Sequence, residues 1–228
     1  MHSSSKPASL LNRRAFGGRT VAAALGATAV PWLAGPAHAQ GAPVEGQHYV
    51  KLTQPAPKAT PAGKIDVVEF FMYSCPHCNA LEPYLEPWIQ RQPPDVVVRR
   101  SPFYFNPMQE LHARVFYALE AMGLLEKMHR RVFAAYHVDN NRLMKEEDVL
   151  AFVKAQGVDP AKFGEMLKSF SVQTKLRQGK QLSEAYRIDG VPAIGVQGRW
   201  YTSAAMAGGF PQALAAASYL IEMARKSA

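Results

Sequence analysis

The 228-residue sequence predicts an α/β protein, a small sheet domain interrupted by an all-helical insertion. Three observations carry this reading. Two runs rich in apolar and β-branched residues, Ile65–Phe71 and Asp95–Phe103, flank a segment of helical spacing, which suggests a βαβ unit with a parallel pair of strands. From Pro107 to about Ser171 the apolar pattern is helical throughout. Two short strands and a last helix then follow, so the middle of the chain has too few strands for a plain doubly wound sheet.

The elements follow in order. Arg13 and Arg14 precede an Ala/Gly-rich apolar run from about Val21 to Leu33, which ends in Ala37-His38-Ala39, an A-x-A cleavage signal. Residues 1–39 are therefore expected to be a cleaved export signal peptide. The run, broken by Gly26 and Pro31, is too short for a spanning helix, which needs about 20 residues. The string NRRAFGG resembles a twin-arginine export signal, with Phe16 at its bulky position and Asn12 in place of the usual Ser or Thr, so Tat and Sec export both stay open. Cleavage removes Lys6, Arg13, Arg14 and Arg19 and no acid, which takes the net charge from +8 to +4. The remaining Lys and Arg are interspersed with acids and form no stripe with exposed aromatics, which argues against nucleic-acid binding. The mature length suits one domain carrying an insertion and buries a core without disulfide staples.

A Pro-rich lead follows, in which one strand is expected without assigned bounds. Ile65–Phe71 then reads as a strand buried on both faces. Ala80, Leu81, Tyr84, Leu85, Trp88 and Ile89 recur at helical spacing from about Pro76 to Arg91. Pro76 fits the first turn of that helix, and Pro83 is expected to kink it. VVVRR, Val96 to Arg100, reads as a second buried strand. LHARVFYALEAMGLLEKMHRRVFAAY reads as one helical run, followed by EEDVLAFVKAQG and DPAKFGEMLKSF, the last opened by the cap Asp159-Pro160. A helix over about Val172–Tyr186, strands over Ala193–Val196 and Trp200–Thr202 hinged at Gln197-Gly198, and a helix over about Pro211–Ala224 complete the chain. The sheet domain is thus expected over 40–106 and 172–228, and the helical insertion over 107–171.

The chain has only two cysteines, Cys75 and Cys78. A bridge that closes so short a loop constrains the unfolded chain little, so stability is a weak reason for the pair. A lone C-x-x-C also supplies two of the four ligands of a structural zinc, and the seven histidines are scattered. No metal site is expected. Redox chemistry is the leading reading, ahead of a metal site or two inert buried thiols, and an oxidising compartment would let the pair bond readily.

The run VVEFFMYSCPHC and the later GVPAIGVQG, about 115 residues apart, together with the element order, resemble the periplasmic DsbA-type thiol:disulfide interchange proteins. That family has a thioredoxin-like fold with an inserted all-helical domain. The resemblance implies a periplasmic oxidoreductase that donates its Cys75–Cys78 disulfide to newly exported, unfolded proteins with free thiols. It implies no cofactor beyond that disulfide, a monomer, and reoxidation by a DsbB-like membrane quinone reductase. The alternatives are a reductase or isomerase of the same fold and a non-catalytic binding or chaperone module. Isomerases of this kind carry an N-terminal dimerisation domain, for which residues 40–63 are too few. Glutathione-using relatives usually lack the second cysteine.

The site residues follow from chemistry and resemblance together. A cysteine at a helix start gains from unpaired N–H groups and the helix dipole, so Cys75 is expected to be a stabilised thiolate, nucleophile and leaving group, and Cys78 the buried resolving thiol. Pro76 and His77 lie between them, and His77 can offer an N–H or a positive charge to the Cys75 sulfur. Glu69 is the odd acid in an apolar strand. Buried, it would have a raised pKa and could exchange a proton with Cys78; at a strand edge it would simply reach solvent. Its place six residues before Cys75 matches the family's buried acid. Arg100 stands about where the family often has a lysine, but it cannot give up its proton and is left out of the site. Val191 and Pro192 resemble the cis-proline loop that faces the C-x-x-C, with the Val191 backbone expected to pair with substrate. Phe103, Tyr104 and Phe105 are assigned to core or interdomain packing rather than a substrate groove, as are Phe116, Tyr117, Phe133 and Tyr136.

Overall fold

In the computed structural model, which describes residues 41–227, the lead contributes a two-residue strand, β1 (Val50–Lys51), and the apolar run becomes β2 (Ile65–Phe71), buried at every position. The expected signal peptide lies outside the described residues. Helix α1 (Pro76–Gln90) connects β2 to β3 (Val96–Pro102), and β4 (Ala193–Val196) and β5 (Trp200–Ser203) return much later. The five strands form one mixed sheet in the order β1-β5-β4-β2-β3. As expected of a βαβ unit, β2 and β3 are parallel, in a register that sets Glu69 opposite Arg100, while the other pairings are antiparallel. The expectation of a second fully buried strand is corrected: β3 is half-buried over Val97–Arg100 because it is the sheet's edge, with a neighbour on one side only.

Between β3 and β4 lie α2 (Pro107–Ala121), α3 (Leu125–His137), α4 (Glu146–Ala155), α5 (Pro160–Lys168) and α6 (Phe170–Ala185). The run read as one helix is two. Gly123 takes φ +68°, a left-handed conformation that costs glycine nothing and that an α-helix cannot continue through, so α2 ends there and α3 starts afresh. Asn106 and Asp159 cap α2 and α5 by accepting backbone N–H bonds, each with proline next in the chain. Helix α1 runs on through Pro83 and Pro87, whose rings lie on its exposed side. A short α7 (Ala204–Ala207) leads into α8 (Phe210–Lys226).

Alternation along β2 sends side chains to two different cores. Ile65 and Val67 pack with Leu81, Leu85 and Trp88 of α1 and with Leu220 and Ile221 of α8. Val68 and Phe70 pack on the opposite face with Leu182, Tyr186 and Ile188. The third core joins the helices of the insertion, through Phe116, Phe133 and Phe163, to Phe71, Tyr73, Cys75 and Cys78. Burying each of these large apolar side chains contributes about 1.5–3 kcal/mol. The cysteines thus sit where the helical layer meets the sheet domain. Of the three consecutive aromatics, Phe103 and Tyr104 pack against cores as expected, but Phe105 is 72% exposed, because it precedes the α2 cap on the outer surface.

Gly195 on β4 shows how closely the second core is filled. A Cβ there would press into the Tyr186 ring and lie 2.9 Å from Val68 Cγ1. Gly195→Ala is expected to lower the unfolding free energy by about 1–3 kcal/mol through overpacking, measured as a drop in the urea midpoint with an unchanged slope.

Candidate active site

Cys75 is the N-cap of α1, with extended backbone, and its Sγ accepts the Cys78 backbone N–H at 3.4 Å. Pro76 fills the first helical position, where no N–H is needed. Cys75 is 8% exposed, and its Sγ lies 3.6 Å from the Val191 carbonyl oxygen. Val191 and Pro192, far away in sequence, are therefore brought against the thiol, and the Val191-Pro192 peptide is cis. Cys78 is fully buried, and the two sulfurs are not bonded to each other.

The Cys75 thiol is lowered to about 6. The hydrogen bond from the Cys78 thiol is the largest cause, working against burial, and the backbone N–H groups of Cys78 and His77 and the charge of His77 add to it. At pH 7 such a thiol is about nine-tenths ionised. Cys78 moves the opposite way, far upward, through burial first and then through its hydrogen bond to Cys75 and the charge there. The pair is therefore split into one thiolate and one protonated thiol. His77 is exposed on the rim of a cleft of about 370 Å³ that runs along Val191 and Pro192 and is walled by Tyr201, Met206 and Phe210. The last three were not singled out in the sequence, where their spacing reads only as strand and helix packing.

Glu69 is buried, 1% exposed, which removes the reading of a strand-edge acid reaching solvent. Its Oε2 accepts from Arg100 Nε at 3.0 Å, and its Oε1 has no partner. A guanidinium so close would ordinarily hold a carboxylate ionised. Here burial, reinforced by the charge of Glu82, outweighs it, because Arg100 is divided among Glu69, Glu82 at 3.5 Å and Glu86 at 2.6 Å. The Glu69 carboxyl is raised to about 8. Arg100, left out of the site on sequence grounds, is thus in direct contact with it. The resemblance places it where the family often has a lysine near the buried acid, and the parallel register sets it opposite Glu69.

Two histidines of α3 were also missed. His129 faces the Tyr73 hydroxyl with Nδ1 at 2.9 Å and Glu82 Oε1 with Nε2 at 3.2 Å, and His137 Nε2 donates to the Tyr73 carbonyl at 2.8 Å. Both hold the turn that carries Cys75. Among the described residues no group of three or more His, Cys, Asp or Glu side chains is arranged to hold a metal.

A dithiol at a helix N-terminus, split into thiolate and thiol and faced by a cis-proline loop on a mixed sheet, defines a thiol:disulfide oxidoreductase of the thioredoxin class. Comparison with known proteins narrows the class. Residues 66–219 match the family model of the DSBA-like thioredoxin domain. The thiol:disulfide interchange protein DsbA of Bordetella pertussis is 43% identical over 206 residues, 90% of this chain and 95% of that one, and the Pseudomonas aeruginosa DsbA is 39% identical over 183 residues, 80% and 86%. The crystal structure of Pseudomonas aeruginosa DsbA superposes with a TM-score of 0.76 at 38% identity, covering 80% of this chain and 94% of that one. That of Xylella fastidiosa DsbA gives 0.76 at 29%, covering 81% and 98%. The chain belongs to the DSBA-like thioredoxin domain family.

Two outcomes follow from the electrostatics. Cys78→Ala removes the strongest stabiliser of the Cys75 thiolate and is expected to move its midpoint upward from about 6, followed by ultraviolet thiolate absorbance, whereas Cys78→Ser keeps a donor and moves it less. For Glu69, the folded-state pKa lies above that of the unfolded chain, so between about pH 4.5 and 8 the folded protein holds more protons. Stability is therefore expected to fall as pH rises through that window, and Glu69→Gln to flatten the fall, in urea titrations at a series of pH values.

Proposed function

We propose that this oxidoreductase works in the periplasm as a donor of disulfides to exported proteins, with Cys75 as the nucleophilic and leaving sulfur and Cys78 as the resolving thiol. The observation that carries the reading is Cys75 at the N-cap of α1, its Sγ accepting the Cys78 backbone N–H over a fully buried Cys78, an arrangement that depresses the first thiol and raises the second. Each pKa unit is worth about 1.4 kcal/mol in favour of the reduced form, or ~30 mV toward a stronger oxidant. The signal-like residues 1–39 support the compartment.

A substrate thiolate attacks Cys75 Sγ of the oxidised pair, the S–S electrons pass to Cys78 Sγ, and that sulfur takes a proton. Glu69, buried and protonated near neutral pH, is the nearby source, and it is left as a carboxylate on Arg100. A second substrate thiolate then attacks the substrate sulfur of the mixed disulfide and expels Cys75 as its stabilised thiolate. The substrate has lost two electrons and the enzyme has gained them. The Val191 backbone beside Cys75 offers strand-like pairing to an extended client, and the apolar cleft along Pro192 takes its side chains.

In this reading residues 107–171 form the helical insertion and 40–106 with 172–228 the sheet domain, the reduced enzyme is reoxidised by a DsbB-like quinone reductase, and no cofactor is required beyond the disulfide. Equilibration with glutathione buffers tests the direction of flow. A potential well above the ~−270 mV of thioredoxin is expected, and in the Cys78→Ser variant a client supplied as its disulfide is expected to be trapped on Cys75, whose thiolate attacks one client sulfur, expels the other as a thiolate and leaves a mixed disulfide that no second enzyme thiol resolves. A potential at or below the thioredoxin value would assign the enzyme to reduction instead, and a pair resistant to glutathione would make it a structural lock.

A further inference from the structure

The acids beneath the active site outnumber the cations that face them. Glu69 of β2 meets Arg100 from β3, Glu82, Glu86 and Cys78 from α1, Tyr73 just past its own strand, and the apolar Ile194 from β4. Glu82 of α1 is fully buried and meets Arg100 at 3.5 Å, His129 of α3 at 3.2 Å and, at 3.9 Å, the exposed Arg130 of α3. Two buried carboxylates therefore share one mostly buried guanidinium, which a third, Glu86, also claims. Like charges in so small a space cannot all persist, and one carboxylate must keep a proton.

The hydrogen bonds decide which. Burial keeps the Tyr73 hydroxyl protonated, so it donates to His129 Nδ1. The neutral ring then carries its proton on Nε2 and donates it to Glu82 Oε1. Burial of Glu82 is outweighed by this bond and by the nearby cations, so its carboxyl is lowered. Glu69 has one arginine contact, and its other oxygen has no partner. The proton belongs there.

We propose that His129, on the helical insertion, is a positioning residue for the proton transfer to Cys78: by donating to Glu82 it maintains a competing carboxylate on Arg100, and so keeps the exchangeable proton on Glu69. This rests on the reading of Glu69 as the proton partner of Cys78. It gives α3 a chemical task in addition to packing, transmitted through Tyr73–His129–Glu82–Arg100–Glu69.

The test is a pH titration of the full mature protein carrying 13C-labelled glutamate, with the Glu69 resonance assigned by its loss in Glu69→Gln. In the unaltered protein Glu69 titrates well above the ordinary carboxylate range. In Glu82→Gln, which keeps the shape of the side chain, and in His129→Phe, which fills the same aromatic surroundings, its midpoint is expected to fall by roughly 1 unit or more. His129→Gln, which retains a side-chain N–H, recovers part of the fall, and the pH profile of disulfide donation moves in parallel. An unmoved Glu69 midpoint in both Glu82→Gln and His129→Phe overturns the link to His129, even if Glu69→Gln slows the reaction. If Glu69→Gln leaves the rate and its pH profile unchanged, the proton-partner reading fails and takes this proposal with it. Glu82→Gln leaves the aromatic cluster intact, so the outcome does not depend on whether the His129 variants fold.

Discussion

One negative charge, on Cys75 Sγ, organises the site. It is supported by the Cys78 thiol and by backbone N–H groups of the first turn of α1, all of which exist only because the chain turns from β2 into a helix at that residue. Each support is short in range. The turn must therefore be held to a fraction of an ångström, and the surrounding structure does this from several sides. Phe71 and Tyr73 anchor it in the aromatic core of the insertion, His137 fastens the Tyr73 carbonyl, and the Val191 carbonyl closes over the sulfur.

The same charge explains why the interior around it is so polar. Apolar walls alone would push both thiols upward, since burial works against the Cys75 thiolate and is the first cause of the rise at Cys78. Beneath the pair, Glu69, Glu82, Arg100 and His129 form a set of ionisable groups in places where each would be costly alone and where each is partnered by another. Asp66, on the other face of β2, is handled more simply, by a two-pronged contact with Arg99 at 2.9 Å on each arm.

Much of this was legible in the sequence, and the reasons differ by element. Ile65–Phe71 is a nearly continuous apolar run, as suits a strand covered on both faces, and the C-P-H-C beyond it points to redox chemistry once the later G-V-P is read with it. Val191-Pro192 was found by resemblance, since a proline before a strand has many ordinary uses. The break at Gly123 was missed because apolar periodicity continues across it, whereas the turn depends on a single backbone angle. The polar network was missed for a different reason. Glu82, His129 and Arg100 sit among residues of ordinary amphipathic helices and an edge strand, and only the docking of α3 on α1 and the β2–β3 register bring them within reach of Glu69.

The cysteines and the loop that faces them come from opposite ends of the chain, with the Cys75 sulfur and the Val191 carbonyl separated by 116 positions. In a chain made from its N-terminus the two thiols precede that loop, and the Val191 carbonyl reaches Cys75 only through the pairing of β4 with β2. The contact between thiol and loop therefore depends on the finished sheet, and whatever loosens the β2–β4 pairing also uncovers the sulfur.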